Sequence, residues 1–332
     1  MSTTVHVEPA PAPTRPPRRK RAVLIVNPYS SGMTAARERA IVQQLRAELD
    51  VDVRRTERAG HATRMAHELM DPATVDVIIS CGGDGTANEV LNGLELGDDT
   101  AAERPAFAII PAGGTNVLAR SVGYPNHPVR AVRQLLEGIR EDRTRTINLG
   151  TIDERIYMFS AGVGLDGEVV KRMEARRSGR RPSDLAHLAL IVGIYAGSRF
   201  AFSDNMTVEV AGADDRPLRA AFVLVGNTTP MTYMGRLGVH FLPDASLEGG
   251  LDFVAPPHAN AGFAIRNALQ GMGVGRARRA LVSDEQMQLH HDVDGLTVTC
   301  EEPTAVQADG EYLGDRTHVQ FGLLRNAIRL VV

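Results

Sequence analysis

Three times in the first 120 residues a short apolar run is cut off by a glycine-containing turn and followed by a segment of helical character. Residues 22–26 run into Asn27-Pro28-Tyr29-Ser30-Ser31-Gly32, residues 75–80 into Gly82-Gly83-Asp84-Gly85, and residues 107–110 into Pro111-Ala112-Gly113-Gly114-Thr115-Asn116. Continuous β-branched runs of this length, bounded by turn residues, read as strands buried on both faces. Behind the first turn, Ile41, Leu45 and Leu49 recur at i, i+4 and i+8, the apolar stripe of an amphipathic helix. Residues 51–56 alternate as a further strand ahead of Gly60-His61-Ala62, and Gly123 and Pro125 stop the helix behind the third turn. Strands alternating with helices predict parallel βα units, whose loops gather at the carboxyl edge of one sheet.

After residue 143 the pattern changes. Residues 145–150, 155–161, 206–211, 220–225, 296–301, 305–308 and 317–321 read as strands, separated by turns such as Gly212-Ala213-Asp214-Asp215. This predicts a second, largely antiparallel β domain. The expected fold class is therefore an α/β domain with a Rossmann-like parallel sheet over residues 21–143, and a mainly antiparallel β domain over 144–332. The last strand, 328–332, is expected to pack back towards the first domain. Two helical inserts interrupt the second domain. Residues 166–175 lead into a basic run, Lys171 to Arg181, and residues 185–200 are apolar for about four turns. That segment is too short and too punctuated to span a bilayer and reads first as core packing. Residues 1–20 are Pro-rich and end basic, with no apolar stretch in signal-peptide order, which predicts a disordered tail.

Composition adds bounds. The 332 residues carry 43% hydrophobic and 23% charged side chains and a net charge of −3, ordinary for a globular protein and against a general nucleic-acid binder. Two cysteines, Cys81 and Cys300, make no disulfide framework and suggest a reducing, cytoplasmic compartment. Lys20 and Lys171 are the only lysines, so no phosphate-binding GK[ST] loop exists.

The candidate chemistry centres on the second turn. Its glycines admit close approach of a ligand to the backbone, and Thr86-Ala87-Asn88-Glu89 fits a capping box with Thr86 as the N-cap of a helix. Strand, glycine turn and helix N-terminus together favour phosphate. Asp84, an acid where an anion should sit, makes sense with Mg²⁺ between it and the phosphates.

The string GGDGTANEVLNGL over residues 82–94 resembles the diacylglycerol kinase catalytic-domain family, which includes bacterial soluble diacylglycerol kinases and the sphingosine and ceramide kinases. Asn88-Glu89 and Asn92-Gly93 resemble its lipid-kinase branch more than the related NAD kinases. NPYSSG and PAGGTN resemble the family's first and third nucleotide motifs, and Thr56 with Gly60-His61-Ala62 its threonine and Gly-His-Ala segment. The resemblance implies ATP and Mg²⁺ as cofactors. It implies nucleotide contacts from Asn27, Pro28, Ser31, Gly32, Thr56, Gly82, Gly83, Asp84, Gly85, Thr86, Glu89, Gly113, Gly114, Thr115 and Asn116. Gln307-Ala308-Asp309-Gly310-Glu311 resembles the family's late DGE motif, whose Asp acts as the base, giving Asp309 and, beside it, Glu311 as catalytic candidates. On an extended segment these two carboxylates share a face. Asp244, Glu248 and Asp252 resemble a segment that in some members holds a structural Mg²⁺, with Glu248 where Asp is usual. Ser160 stands where many members have Asn. His290-His291-Asp292 reads as a polar loop, with no further spacing in support of zinc.

The expected activity is transfer of the γ-phosphoryl group of ATP to a lipid hydroxyl, with diacylglycerol favoured. A sphingoid or other lipid acceptor, a soluble acceptor such as NAD, and a non-catalytic nucleotide or lipid sensor are the alternatives. The basic run beside the apolar helix suggests peripheral contact with an anionic membrane. A homodimer is left open.

Overall fold

A computed structural model describes residues 18–69, 71, 73–175, 204–213, 216–258 and 287–332. The tail to residue 17, the basic run beyond Ala175 and the apolar segment 185–200 lie outside the described residues.

In the first half, strands β1 (Arg21–Val26), β2 (Asp50–Arg55), β3 (Val77–Gly82) and β4 (Ala106–Pro111) alternate with helices α1 (Ala35–Glu48), α2 (His61–His67), α3 (Asp84–Gly93), α4 (Val117–Ser121) and α5 (Pro128–Arg140). The strands are parallel, in the order β2-β1-β3-β4. Every residue of β3 and β4 is buried, as expected of parallel strands covered on both faces. β2 lies at the edge and reads DVDVRR, with charges that discourage further pairing. α1 is capped by Thr34, whose hydroxyl accepts the Arg37 N–H at 3.2 Å, and buries Ile41 and Leu45. α5, which the sequence pattern did not single out, starts with Pro128 and buries Ala131, Val132, Leu135 and Ile139.

The second half contains β5 (Thr144–Ile152), β6 (Arg155–Tyr157), β7 (Ser160–Val163), α6 (Leu165–Ala175), β8 (Met206–Val210), β9 (Leu218–Ala220) and β10 (Val223–Gly226). They are followed by β11 (Thr232–Met234), β12 (Leu237–Val239), β13 (Leu251–Val254), β14 (Leu289–Val293), β15 (Gly295–Ala308) and β16 (Glu311–Val331). Apart from the contact of β16 with β4, the pairings here are antiparallel. Several elements differ from expectation. The run 155–161 is two strands, β6 and β7, broken at Met158 and Phe159, and 220–225 is split between β9 and β10. Conversely, 296–301 and 305–308 fuse into β15, and 317–321 and 328–332 into the 21-residue β16.

β16 joins the halves. Its N-terminal part pairs with β15, and at its far end Leu330 lies beside Phe107 of β4, in parallel, and beside Arg145 of β5, antiparallel. Strands from both halves thus belong to one 14-stranded sheet, ordered β14-β13-β10-β7-β15-β16-β4-β3-β1-β2 along its main path. One apolar core includes Ile328 and Leu330 with Leu24, Ile79 and Phe107; a second packs Val163, Phe253, Val298 and Phe321. Cys81 and Cys300 are free and buried, and burial pushes both thiols up.

Candidate active site

β1, β3 and β4 are neighbours, so their carboxyl ends release the three glycine turns side by side. Backbone hydrogen bonds tie the turns together. Asn27 N–H donates to Cys81 O at 2.9 Å, Ala112 N–H to Gly82 O at 2.7 Å and Gly32 N–H to Ala112 O at 2.7 Å. The approach is so close that side chains are excluded. A Cβ on Gly113 would stand 2.5 Å from Gly83 Cα, and one on Gly32 2.8 Å from Ala112 O. These glycines are required by contact between backbones, since Gly83 itself is extended.

α3 begins three residues earlier than a capping box with Thr86 as its N-cap implies. Its first residue is Asp84 and its N-cap is Gly83, which has no side chain to offer. Thr86 lies within the first turn, and its Oγ1 accepts from Asn27 Nδ2 at 3.1 Å. Glu89 does not fold back on α3. Its carboxylate accepts the Ala62 N–H at 3.1 Å, serving α2, whose own N-cap is the left-handed Gly60. His61 Nδ1 accepts the Glu57 N–H at 3.2 Å, a local structural contact. Thr56 is buried, with its N–H donating to Val26 O. Asn116, also buried, clamps the third turn: its Oδ1 accepts the Gly113 N–H at 2.8 Å, and its Nδ2 donates to Gly113 O at 2.9 Å and to Asn126 Oδ1 at 2.5 Å. Pro28 and Thr115 are half-buried, and Ser31, Gly85 and Gly114 are exposed on the rims of their turns.

The cradle fits polyphosphate on its own geometry. It is a floor of contiguous backbone that any Cβ at Gly83 or Gly113 would fill, beneath the first turn of α3, where helical N–H groups lack intrahelical partners. The Asp84 carboxylate stands in that turn, an oxygen donor that suits Mg²⁺ shared with phosphate oxygens. Arg120 is the candidate cation. Its guanidinium lies 3.3 Å from the centre of the Tyr233 ring, and burial lowers its pKa against the opposing pull of Tyr233 and Asp84. Both lysines are engaged elsewhere, Lys20 with Asp142 and Lys171 with Asp315.

Asp309 reaches the same place from the second half. Asp309 (φ +49°) and Gly310 (φ +78°) form the two-residue turn between β15 and β16, closed by the pair Ala308 and Glu311. Two successive left-handed residues make this a type I′ hairpin turn, for which Asp-Gly is a preferred pair. The two carboxylates therefore do not share a face of one extended strand. The Asp309 carboxylate accepts four N–H groups: Met158 N (2.8 Å) and Asn88 Nδ2 (2.9 Å) at Oδ2, Phe159 N (3.0 Å) and Ser160 N (3.3 Å) at Oδ1. The break between β6 and β7 supplies two of the backbone donors, and Ser160, the first residue of β7, supplies the third. Burial pushes the carboxyl up to about 6; the three backbone N–H groups oppose that shift and the charge of Asp84 adds to it. Gln307 braces the turn, its Oε1 accepting the Gly310 N–H at 2.9 Å and its Nε2 donating to Asp166, whose carboxyl burial raises to about 6. Glu311 is instead exposed and paired with Arg155 at 2.5 Å.

Asn88 stood in the sequence only as part of the family motif and not among the candidate site residues, yet it connects the two halves of the site. It stands one helical turn after Asp84, so the two share a face of α3. That i, i+4 spacing was the available signal.

The acidic segment differs from expectation. Glu248 pairs with Arg145 and accepts from Ser246 Oγ at 3.0 Å, while buried Asp252 accepts from His291 Nδ1 at 2.7 Å and the Asp292 N–H at 3.1 Å. Among the described residues no three His, Cys, Asp or Glu side chains form a group that could hold a metal. Asp244, Glu248 and Asp252 thus do not assemble as a three-acid metal site, because a guanidinium and an imidazole already meet two of the three. The His290-His291 stretch is strand β14, not a loop, with His290 stacked on Phe253 at 4.6 Å.

Comparison with known proteins places these features. Residues 21–152 match the family model of the Diacylglycerol kinase catalytic domain. The chain is 28% identical to "Diacylglycerol kinase" of Bacillus subtilis (strain 168) over 299 residues, 89% of this chain and 91% of that protein. It is 32% identical to "Diacylglycerol kinase" of Staphylococcus aureus (strain JH9) over 148 residues, 44% of each chain. In fold it is similar to the crystal structure of a diacylglycerol kinase from Bacillus anthracis, with a TM-score of 0.70 at 22% identity, covering 95% of this chain and 98% of that one.

Proposed function

We propose, from the premise that residues 21–152 carry a diacylglycerol kinase catalytic domain and that the chain is a kinase, that it transfers the γ-phosphoryl group of ATP, with Mg²⁺, to a lipid hydroxyl. Diacylglycerol is the favoured acceptor and phosphatidic acid the product. One observation carries the reading: Asn88, on the helix that begins with Asp84, donates directly to the Asp309 carboxylate, so the phosphate cradle and the proton acceptor form one hydrogen-bonded unit.

Phosphoryl transfer from ATP passes through a loose transition state, so positioning and charge neutralisation carry most of the catalysis. The glycine turns present backbone N–H groups to the phosphates, and Asp84 and Arg120 offer opposite charges beside them. Mg²⁺ bound at Asp84 would neutralise phosphate charge. Asp309, with its carboxyl near 6, is ionised at neutral pH yet basic enough to take the acceptor's proton. All its acceptor positions are filled by N–H groups, and the contact from Ser160 at 3.3 Å is the longest. The incoming hydroxyl takes over that weakest position on Oδ1.

The test is labelled ATP with mixed micelles of diacylglycerol, ceramide, sphingosine or monoacylglycerol, and NAD in solution, followed by product identification. Labelled phosphatidic acid as the main product is expected; a labelled product from NAD alone would overturn the lipid reading. Membrane contact is part of the same proposal. No helix among the described residues is long and apolar enough to cross a membrane, and the basic run 171–181 is the candidate surface element. Exchange of Arg176, Arg177, Arg180 and Arg181 for Gln is expected to weaken sedimentation with anionic vesicles, at about 1 kcal/mol per charge. Equal, salt-insensitive sedimentation of both proteins would rule that surface out.

A further inference from the structure

Asn88 makes every hydrogen bond its amide allows. Nδ2 donates to Ile156 O (2.9 Å) and to Asp309 Oδ2 (2.9 Å). Oδ1 accepts from Asn92 Nδ2 (3.0 Å) and from the Arg155 guanidinium (3.2 Å). A flipped amide would set its oxygen against a carbonyl and a carboxylate, and its NH₂ against two donors, so the partners fix one orientation. Arg155 is the charged member of that set. Its NH2 nitrogen also meets Glu311 Oε2 at 2.5 Å, and its Nε is buried without a hydrogen-bond partner. The guanidinium is therefore held through one terminal nitrogen, Nη2, between Asn88 and Glu311.

We infer that Glu311 is a positioning residue that acts at a distance: it holds the Arg155 guanidinium on Asn88 Oδ1, which keeps Asn88 Nδ2 aimed at Asp309 Oδ2. The second carboxylate of the DGE stretch thus orients the first across the hairpin turn, by way of β6 and α3. The chain of contacts runs Glu311 of β16, Arg155 of β6, Asn88 of α3 and Asp309 in the β15–β16 turn. The inference rests on the reading of Asp309 as the base. It also explains why an exposed glutamate and a half-buried arginine converge on an asparagine that has other partners.

The electrostatics supply a discriminating sign. Asp309 faces Asp84 of α3, the Tyr157 hydroxyl of β6 and, through Asn88, Arg155. Loss of the Glu311 negative charge by itself would make Asp309 easier to ionise. Loss of the Asn88 donor bond would make it harder, because a donated N–H favours the carboxylate form. Glu311→Gln thus pushes the acid limb of the kcat–pH profile down if Glu311 acts only as a nearby charge, and up if it acts through Asn88.

The experiment uses the full chain with ATP, Mg²⁺ and dioctanoylglycerol in mixed micelles. Glu311→Gln, Arg155→Met, their double variant and Asp309→Asn are compared for kcat, KM and pH profile. Glu311→Gln and Arg155→Met are each expected to lower kcat about tenfold with both KM values kept. The double variant should fall no further than the worse single, since both break one chain of contacts. The acid limb in Glu311→Gln should rise by up to about one pH unit. The same shift is expected in the Asp309 carboxyl resonance of the substrate-free, ¹³C-Asp-labelled protein. Multiplicative losses in the double variant, a limb that stays or falls, or wild-type kcat in Glu311→Gln each overturn the inference. The base reading fails separately, if Asp309→Asn keeps its turnover and its acid limb. Glu311 is exposed, so its variant is expected to fold even if Arg155→Met does not.

Discussion

Asp309→Asn is expected to lower turnover by roughly 10²–10⁴-fold while ATP affinity stays near that of the wild type. The carboxylate lies outside the glycine cradle, and among the described residues its hydrogen bond to the helix of the cradle comes from Asn88, so nucleotide binding should survive its loss. The exchange is less neutral than its shape suggests. All four N–H groups at this position donate to oxygen, and an amide has only one oxygen to give. Its NH₂ would face two donors in a closed site, at about 1–3 kcal/mol for each one left unpaired. A lower melting temperature should therefore accompany the lost turnover. Calorimetric titration with ATP, a lipid kinase assay and a thermal melt on the same preparation separate the two effects. The pH profile adds a check. Activity of the wild type should rise with pH through about 6 as Asp309 ionises, and this limb should vanish in the variant. Unchanged turnover in a folded Asp309→Asn would remove Asp309 from the mechanism.

Asp84→Ala is expected to cost at least about 10² in turnover, because in the proposed mechanism this acid in the first turn of α3 is the group that would hold the divalent cation beside the phosphates. Stability should change little: an acid at a helix N-terminus contributes about 0.3–1 kcal/mol. The substitution also has a remote signature. The charge of Asp84 helps to raise the Asp309 carboxyl, so its removal should move the residual acid limb to lower pH. Residual activity measured against Mg²⁺ concentration and pH tests both effects. Wild-type turnover, or a limb that moves up, would contradict the assigned geometry.

The sheet strands of the first half were legible because β3 and β4 are buried throughout and β1 is buried from Ala22 on, so that they read as apolar runs. The three glycine turns followed from the same rhythm. The start of α3 did not, since Thr86 and Glu89 match a local capping pattern while their actual partners, Asn27 and Ala62, lie on other elements. β16 was seen only as two fragments: its middle, from Leu323 to Asn326, is not buried and carries no steady alternation. The tie between Asp309 and Asn88 spans 221 positions, and that between Arg155 and Glu311 spans 156. No local periodicity reports such a contact. The motif residues were visible, but their division of labour was not: the acids of the 244–252 segment looked alike in sequence, yet in the fold Glu248 meets a guanidinium and Asp252 an imidazole.

The place of β16 also bears on the order in which the molecule can be assembled. Residues 328–331 fill the gap between β4 and β5, so the parallel sheet that carries the nucleotide turns has an unpaired β4 edge until those residues are in place. An emerging polypeptide will have made β1 to β5 long before the strand that belongs between β4 and β5. Contacts of such high sequence separation form slowly and leave an exposed edge open to wrong partners in the meantime. A ribosome-stalled chain ending before residue 320 should thus be protease-sensitive and prone to association, even though every residue of the three glycine turns has already been synthesised.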